Sequence, residues 1–310
     1  AFASLAIYDA QTLSLTADIA GSFTLEVLKG TLMAMDERLM AVRPHPDQIN
    51  TAANIRAILK DSPMLERYRG HRVQDALSIR CMPQLHGPVK KAVKDAQTTL
   101  AIELNSSVDN PLIFDEEDGG AVALMGCNAD GTYAGMASDN LCIAITDLCK
   151  MSNSRIDRLL NSLVSELPAF LNKNADFNNG LMMIQYASAG LQGELRILAH
   201  PAVVDNLTTC ANQEDYVNMG YNAAKKAYDS MHLAKYILAA ELICDGQALD
   251  CYEDKRCAKG TQAIYDLLRT KVPEMDNDMP LTPYLEAVAQ QIIDRAYIRA
   301  VEASIGELKF

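Results

Sequence analysis

The sequence predicts an all-α fold: an elongated bundle of long helices interrupted by one short β-hairpin. Three observations lead there. Apolar residues recur at helical spacing over long stretches, as Met136, Leu141, Leu148, Met151, Ile156, Leu159 and Leu163 do. No internal repeat, low-complexity tract or linker divides the 310 residues. A single segment carries the opposite signature, two apolar runs on either side of an acidic Gly-Gly turn.

Taken in order, residues about 3–43 read as two long helices or one broken helix. Gly21 and Gly30 are the weak points, and Arg43-Pro44-His45-Pro46 is the stop. A helix near 46–60 ends at Asp61-Ser62-Pro63. The next segment reads as helical up to Arg80, which places Leu77 and Arg80 on one face with Gln74 near it on the turn before; Pro83 then breaks the backbone. Residues 88–106 form another helix, and Pro111 to Met125 form the hairpin. Long helices follow at about 130–165, 179–198, 216–250, 257–270 and 281–306.

A chain of 310 residues can bury a large core, and 14 Met with no Trp make that core aliphatic and adaptable. A formal charge of −12 makes nucleic acid and anionic membrane surfaces poor partners. No run approaches the length of a membrane span and no signal-peptide pattern is present, so a soluble, cytoplasmic protein is expected. The eight cysteines show no Cys-x-x-Cys spacing and read as reduced core thiols. The five histidines lack metal-ligand spacing and read as structural, so no metal is expected. Phosphate loops, nucleophile elbows and zinc motifs are absent from the sequence. The start, Ala-Phe-Ala-Ser-Leu-Ala-Ile, enters a helical pattern with no cap and no initiating Met, as if the chain began in the middle of something.

Chemistry concentrates in a few clusters. Gln74 to Gly87 places an amide, a carboxylate and the Arg80 guanidinium together. A guanidinium is a planar five-donor fork that suits a carboxylate and keeps its charge. The simpler reading pairs Arg80 with Asp75 or another acid. Glu103 to Leu112 is a polar turn whose Asn, Ser and Asp are ordinary turn formers. Gly126 to Gly131 joins the hairpin to a long helix, so its amides and Asn128 could face a ligand at that helix's start, with Asp130 alternatively the N-cap. Cys210 to Gly220 packs three amides and two acids around a helix start; capping explains Glu214 or Asp215 singly, not the whole cluster.

Gln74 to Gly87 and Glu103 to Leu112, with Asp36-Glu37-Arg38, Arg43-Pro-His-Pro46, Asp139-Asn140-Leu141, Leu167-Pro-Ala-Phe170, Ala199-His-Pro201, Asn212-Gln-Glu-Asp215 and Glu241 to Leu249, occur in the order seen in the histidine and aromatic amino-acid ammonia-lyases. The resemblance covers essentially the whole chain and makes residues 1–310 similar to the C-terminal three-fifths of such an enzyme. It implies a mostly helical, ammonia-lyase-like homotetramer with active sites assembled from several subunits and a small amino acid as substrate. The family's electrophile, 4-methylideneimidazole-5-one (MIO), forms from an Ala-Ser-Gly tripeptide that these 310 residues do not contain. The resemblance therefore implies that MIO, if used, is supplied by an upstream segment or a companion N-terminal chain, and that none is encoded here.

Carried over by position, Arg80 would bind the substrate α-carboxylate and Gln74 would hydrogen-bond near it and the electrophile. Glu214, beside Gln213, falls where histidine-specific members place an acid that grips the imidazole. Leu77 stands where the family has a catalytic tyrosine, Ala129 where a pocket phenylalanine is usual, and Asp130 where a histidine or another polar residue follows. The resulting pocket is wider and gains a carboxylate. Three readings follow: elimination of ammonia from a histidine-like amino acid, cofactor-free elimination of trimethylamine from a histidine betaine (as in ergothionase-type relatives), and a non-catalytic lyase-like scaffold.

Overall fold

The computed structural model describes residues 1–174 and 177–310. The chain begins with α1 (Phe2–Val27), and short helices α2 (Glu37–Ala41) and α4 (Pro63–Arg67) flank α3 (Pro46–Ile58). A single turn, α5 (Leu77–Arg80), precedes the long α6 (Met82–Leu104). Strands β1 (Leu112–Asp115) and β2 (Ala121–Leu124) lead into α7 (Thr132–Leu160) and the short α8 (Ser162–Ser165). Then come α9 (Met182–Leu198), α10 (Gly220–Asp250), α11 (Lys259–Arg269), α12 (Thr282–Ile293) and α13 (Ala296–Ile305).

Burial decides which helices are central. Every residue of α1 from Thr12 to Val27 is buried, as is every residue of α10 from Ile237 to Asp250. Helices closed off on all sides belong inside a bundle, not on its surface. Together with α7 they form the spine; α6 and α3 cover one side, α9 another, and α11, α12 and α13 close a third. Where α6 crosses α1, a Cβ on Gly21 would collide with the Met82 sulfur, so the glycine that looked like a break makes room for α6. The helix ends instead just before Lys29, whose φ is 57°. The hairpin forms as expected, antiparallel with Leu112 opposite Leu124 and Asp115 opposite Ala121.

Three boundaries differ from the sequence reading, each for a physical reason. Pro83 opens α6: in a first turn its missing N–H removes no bond. The helix consequently starts six residues before the expected 88. Gln74 lies outside any helix, in a bend before the single turn α5. The segment 281–306 is two helices, because Arg295 adopts φ 58° between them.

Two polar clusters are sealed in the spine. Asp18 of α1 receives His86 Nδ1 at 2.8 Å, Lys90 Nζ at 2.5 Å and Asn54 Nδ2 at 2.8 Å. Burial opposes the Asp18 charge, but Lys90 and His86 outweigh it and hold the carboxyl below its usual range. In the second, Arg155 of α7 grips Glu241 of α10 through Nε and through Nη2 at 3.0 Å, and Ser152 donates to the same carboxylate. Thr24 Oγ1 lies 3.0 Å from Glu241 and 2.7 Å from Asp245. A hydroxyl has one hydrogen to give, so both contacts are met if Asp245 is protonated and donates to Thr24, which donates to Glu241. Burial first, then the Glu241 charge, push the Asp245 carboxyl well above its usual value, in agreement. All eight cysteines are unpaired thiols, and burial raises those of Cys142, Cys149 and Cys244.

Candidate active site

The predicted site residues fall into two groups. The first is built on α5 and the bend before it. Leu77 and Arg80 share the single turn, and Leu77 is 61% exposed beside the arginine. The pairing of Arg80 with Asp75 does not form. Asp75 is buried, and its Oδ2 accepts from the Thr31 N–H at 2.8 Å, which pins the segment to the end of α1. Burial raises the Asp75 carboxyl, while the Thr31 amide and the charges of Arg72, Arg158 and Arg80 pull the other way. Among the described residues the Arg80 guanidinium makes no ion pair and no hydrogen bond, and its Nε is buried without a partner. A fork left open in a chain of 40 acids and 28 bases is ready to receive an outside carboxylate.

The exposed Gln74 is held by its neighbours rather than by a helix. Glu166 collects Lys29 Nζ at 2.9 Å, His71 Nε2 at 3.0 Å and Arg72 Nη2 at 3.1 Å. Hydrogen bonds from Lys29 and His71 hold the Glu166 carboxyl down at about 2. This hub ties the loop before Gln74 to the turn after α8. It went unseen in the sequence because its members lie up to 137 residues apart, with no local pattern to join them.

The second group gathers where the hairpin enters α7. Asn128 and Ala129 are exposed there, as are Gln213 and Glu214 on the loop before α10. Asp130 joins the two loops: one oxygen accepts from the Thr132 N–H at 2.9 Å, the other from Asn218 Nδ2 at 3.1 Å. Gly131 is the N-cap, not Asp130, and the Tyr216 hydroxyl meets Thr132 Oγ1 at 3.2 Å. Gly131 and Gly220 touch backbone to backbone; a Cβ on Gly220 would come within 2.7 Å of the Gly131 carbonyl. Asp130 thus holds the two loops together with one hydrogen bond to each oxygen, which leaves further lone pairs on both. Asp139 plays a similar part, its Oδ2 accepting from the Ala202 and Val203 N–H groups at 2.7 and 2.9 Å.

These groups do not meet within one chain. Arg155, in the last turns of α7, donates to the Ser78 carbonyl at 3.2 Å, two residues from Arg80. Asp130 is anchored at Thr132, the first residue of α7. Thr132 and Arg155 are separated by 23 positions on one helix, a rise of roughly 35 Å. Gln74, Leu77 and Arg80 thus sit at one end of the bundle, and Asn128, Ala129, Asp130, Gln213 and Glu214 at the other. A groove of about 910 Å³ between α6, α7 and α9 is lined by none of these residues. Among the described residues no cluster of His, Cys, Asp and Glu could hold a metal ion, and no helix is long and apolar enough to cross a membrane.

Comparison with known proteins agrees with this architecture. The family model for aromatic amino acid lyase matches residues 1–270. Histidine ammonia-lyase 2 of Fusobacterium nucleatum is 41% identical over 308 residues, covering 99% of this chain and 60% of that protein. Histidine ammonia-lyase from Trypanosoma cruzi superposes with a TM-score of 0.90 at 32% identity, covering 98% of this chain and 57% of the other. Ergothionase from Treponema denticola, at 24% identity over 96% of this chain and 59% of its own, shares the fold with a TM-score of 0.88. The chain spans about three-fifths of the length of these relatives. With the motifs, the all-helical spine and the family match in accord over most of its length, the chain belongs to the aromatic amino acid lyase family.

Proposed function

We propose that this chain supplies two half-sites of a carbon–nitrogen lyase that eliminates ammonia from a histidine-like α-amino acid, giving an α,β-unsaturated acid. The observation that carries the reading is the uncommitted Arg80 guanidinium. Its fork receives the α-carboxylate in a bidentate pair, with the Gln74 amide beside it and Leu77 as an apolar wall. Glu214 is an acceptor-only carboxylate suited to the N–H of an imidazole ring, which a phenyl ring lacks. Asn128, Ala129 and Gln213 line the same half-site, with Asp130 behind them.

Elimination removes the amino group from Cα and a proton from Cβ. Leu77 carries no group that can take that proton, so the base comes from elsewhere in the assembly. The Ala-Ser-Gly precursor of MIO is not among the 310 residues, so this chain's own residues do not form that electrophile. In this reading MIO comes from a segment or companion chain beyond them. Because the half-sites lie at opposite ends of α7, a complete site takes Arg80 from one copy and Glu214 from another, which suits a homotetramer. The eight unpaired thiols suit a cytoplasmic setting. Loss of trimethylamine from a betaine is the second reading, and it draws on the charge of the Asp130 carboxylate that Thr132 and Asn218 hold in place.

Incubating the full-length protein with histidine, phenylalanine, tyrosine and ergothioneine, and following the absorbance of the unsaturated acid, tests this reading. Turnover of histidine ahead of the other three is expected. Turnover of ergothioneine alone, or of none, refutes it.

A further inference from the structure

Glu214 stands on a loop that is exposed along its length yet braced from within. At its base, Asn206 Nδ2 donates to the Asp215 carbonyl at 3.0 Å, and the Val217 N–H donates to Asn206 Oδ1 at 2.8 Å. One rung further out, the Thr209 N–H donates to the Glu214 carbonyl at 2.8 Å, an isolated antiparallel bridge. Between the two residues Cys210, Ala211 and Asn212 take φ values of 48°, 52° and 70°. Three successive non-glycine residues in the left-handed region persist only where the surroundings over-determine them. Thr209 does so twice, since its Oγ1 also donates to Glu214 Oε2 at 2.7 Å.

We infer that Thr209 is a positioning residue: it fixes one oxygen of the Glu214 carboxylate and leaves Oε1 free for the ring N–H of a histidine-like ligand. The inference rests on the reading of Glu214 given above. An exposed glutamate samples many rotamers, and each must be frozen when a ligand binds. A hydroxyl that already holds one oxygen removes part of that loss before the ligand arrives. It also leaves lone pairs on the other oxygen, the arrangement a single N–H donor needs.

Calorimetry on the full-length protein tests this, with L-histidine and L-phenylalanine as probes. Thr209→Val is expected to weaken L-histidine binding about tenfold and leave L-phenylalanine unchanged. Thr209→Ser, which keeps the hydroxyl, is expected to return affinity to within about twofold of the parent. In a Glu214→Gln background, Thr209→Val should add nothing, because the carboxylate it orients is gone. Equal weakening in both backgrounds, equal weakening of both probes, or no recovery with serine overturns the positioning role and leaves Glu214 standing. Undiminished L-histidine binding by Glu214→Gln overturns the role of Glu214 and this inference together.

Discussion

Arg155→Met is expected to lower the free energy of unfolding by about 3–5 kcal/mol, measured by urea denaturation at pH 7. The methionine fills most of the volume, so the loss isolates the charge. Glu241 remains fully buried, accepting from Thr24 and Ser152 but without the guanidinium that neutralised it. A second change, Glu241→Leu, should recover part of the loss by removing the stranded carboxylate. A decrease below about 1 kcal/mol for Arg155→Met would mean that the pair is not the electrostatic centre of the spine.

Asp245 moves stability the other way. Its carboxyl is raised by burial and by Glu241, so the unfolded chain ionises at a pH where the folded chain still holds the proton. That difference favours the unfolded state increasingly as pH rises from the unfolded value, about 3.9, through the folded one. Asp245→Asn removes the difference and keeps the shape. The variant should match the parent near pH 4 and be the more stable of the two at pH 7. Equal or lower stability at pH 7 would show that Asp245 is ionised inside the bundle.

Arg80→Ala is expected to reduce kcat/KM for histidine by about 10²–10³, or roughly 3–4 kcal/mol of transition-state stabilisation. Arg80→Lys keeps the charge but not the fork and should fall between. The decisive control is histamine, which has the ring and the amine but no carboxylate. Arg80→Ala should leave its binding unchanged while weakening histidine. Equal loss for both ligands would assign Arg80 to folding instead of carboxylate binding.

Local chemistry is what the sequence made readable. The hairpin and the long helices α7 and α10 follow from period and turn residues, and they appear in place. What the sequence hid is either local backbone context or a partner distant in sequence. Pro83 looks like a breaker until its position in a first turn is known. Asp75 looks like the mate of Arg80, but the Thr31 amide, 44 residues away, claims it. Asp130 also bridges two loops, a role hidden from the sequence because its partner Asn218 is 88 residues away. Thr209 was legible least of all, because a lone threonine before a polar run has no signature until the chain folds back on it.

The central claim is that the Arg80 and Glu214 half-sites, at opposite ends of α7, complete each other only between copies. Full-length proteins carrying Arg80→Ala or Glu214→Ala, each nearly inactive alone, can be denatured, mixed in equal amounts and refolded together. If each site draws one half from each of two copies, about a quarter of the sites in a random assembly carry neither lesion. Activity should return to about that fraction of the parent's. Mixed assemblies that form but stay inactive would contradict the account, because each site would then be built within one copy and carry one lesion or the other.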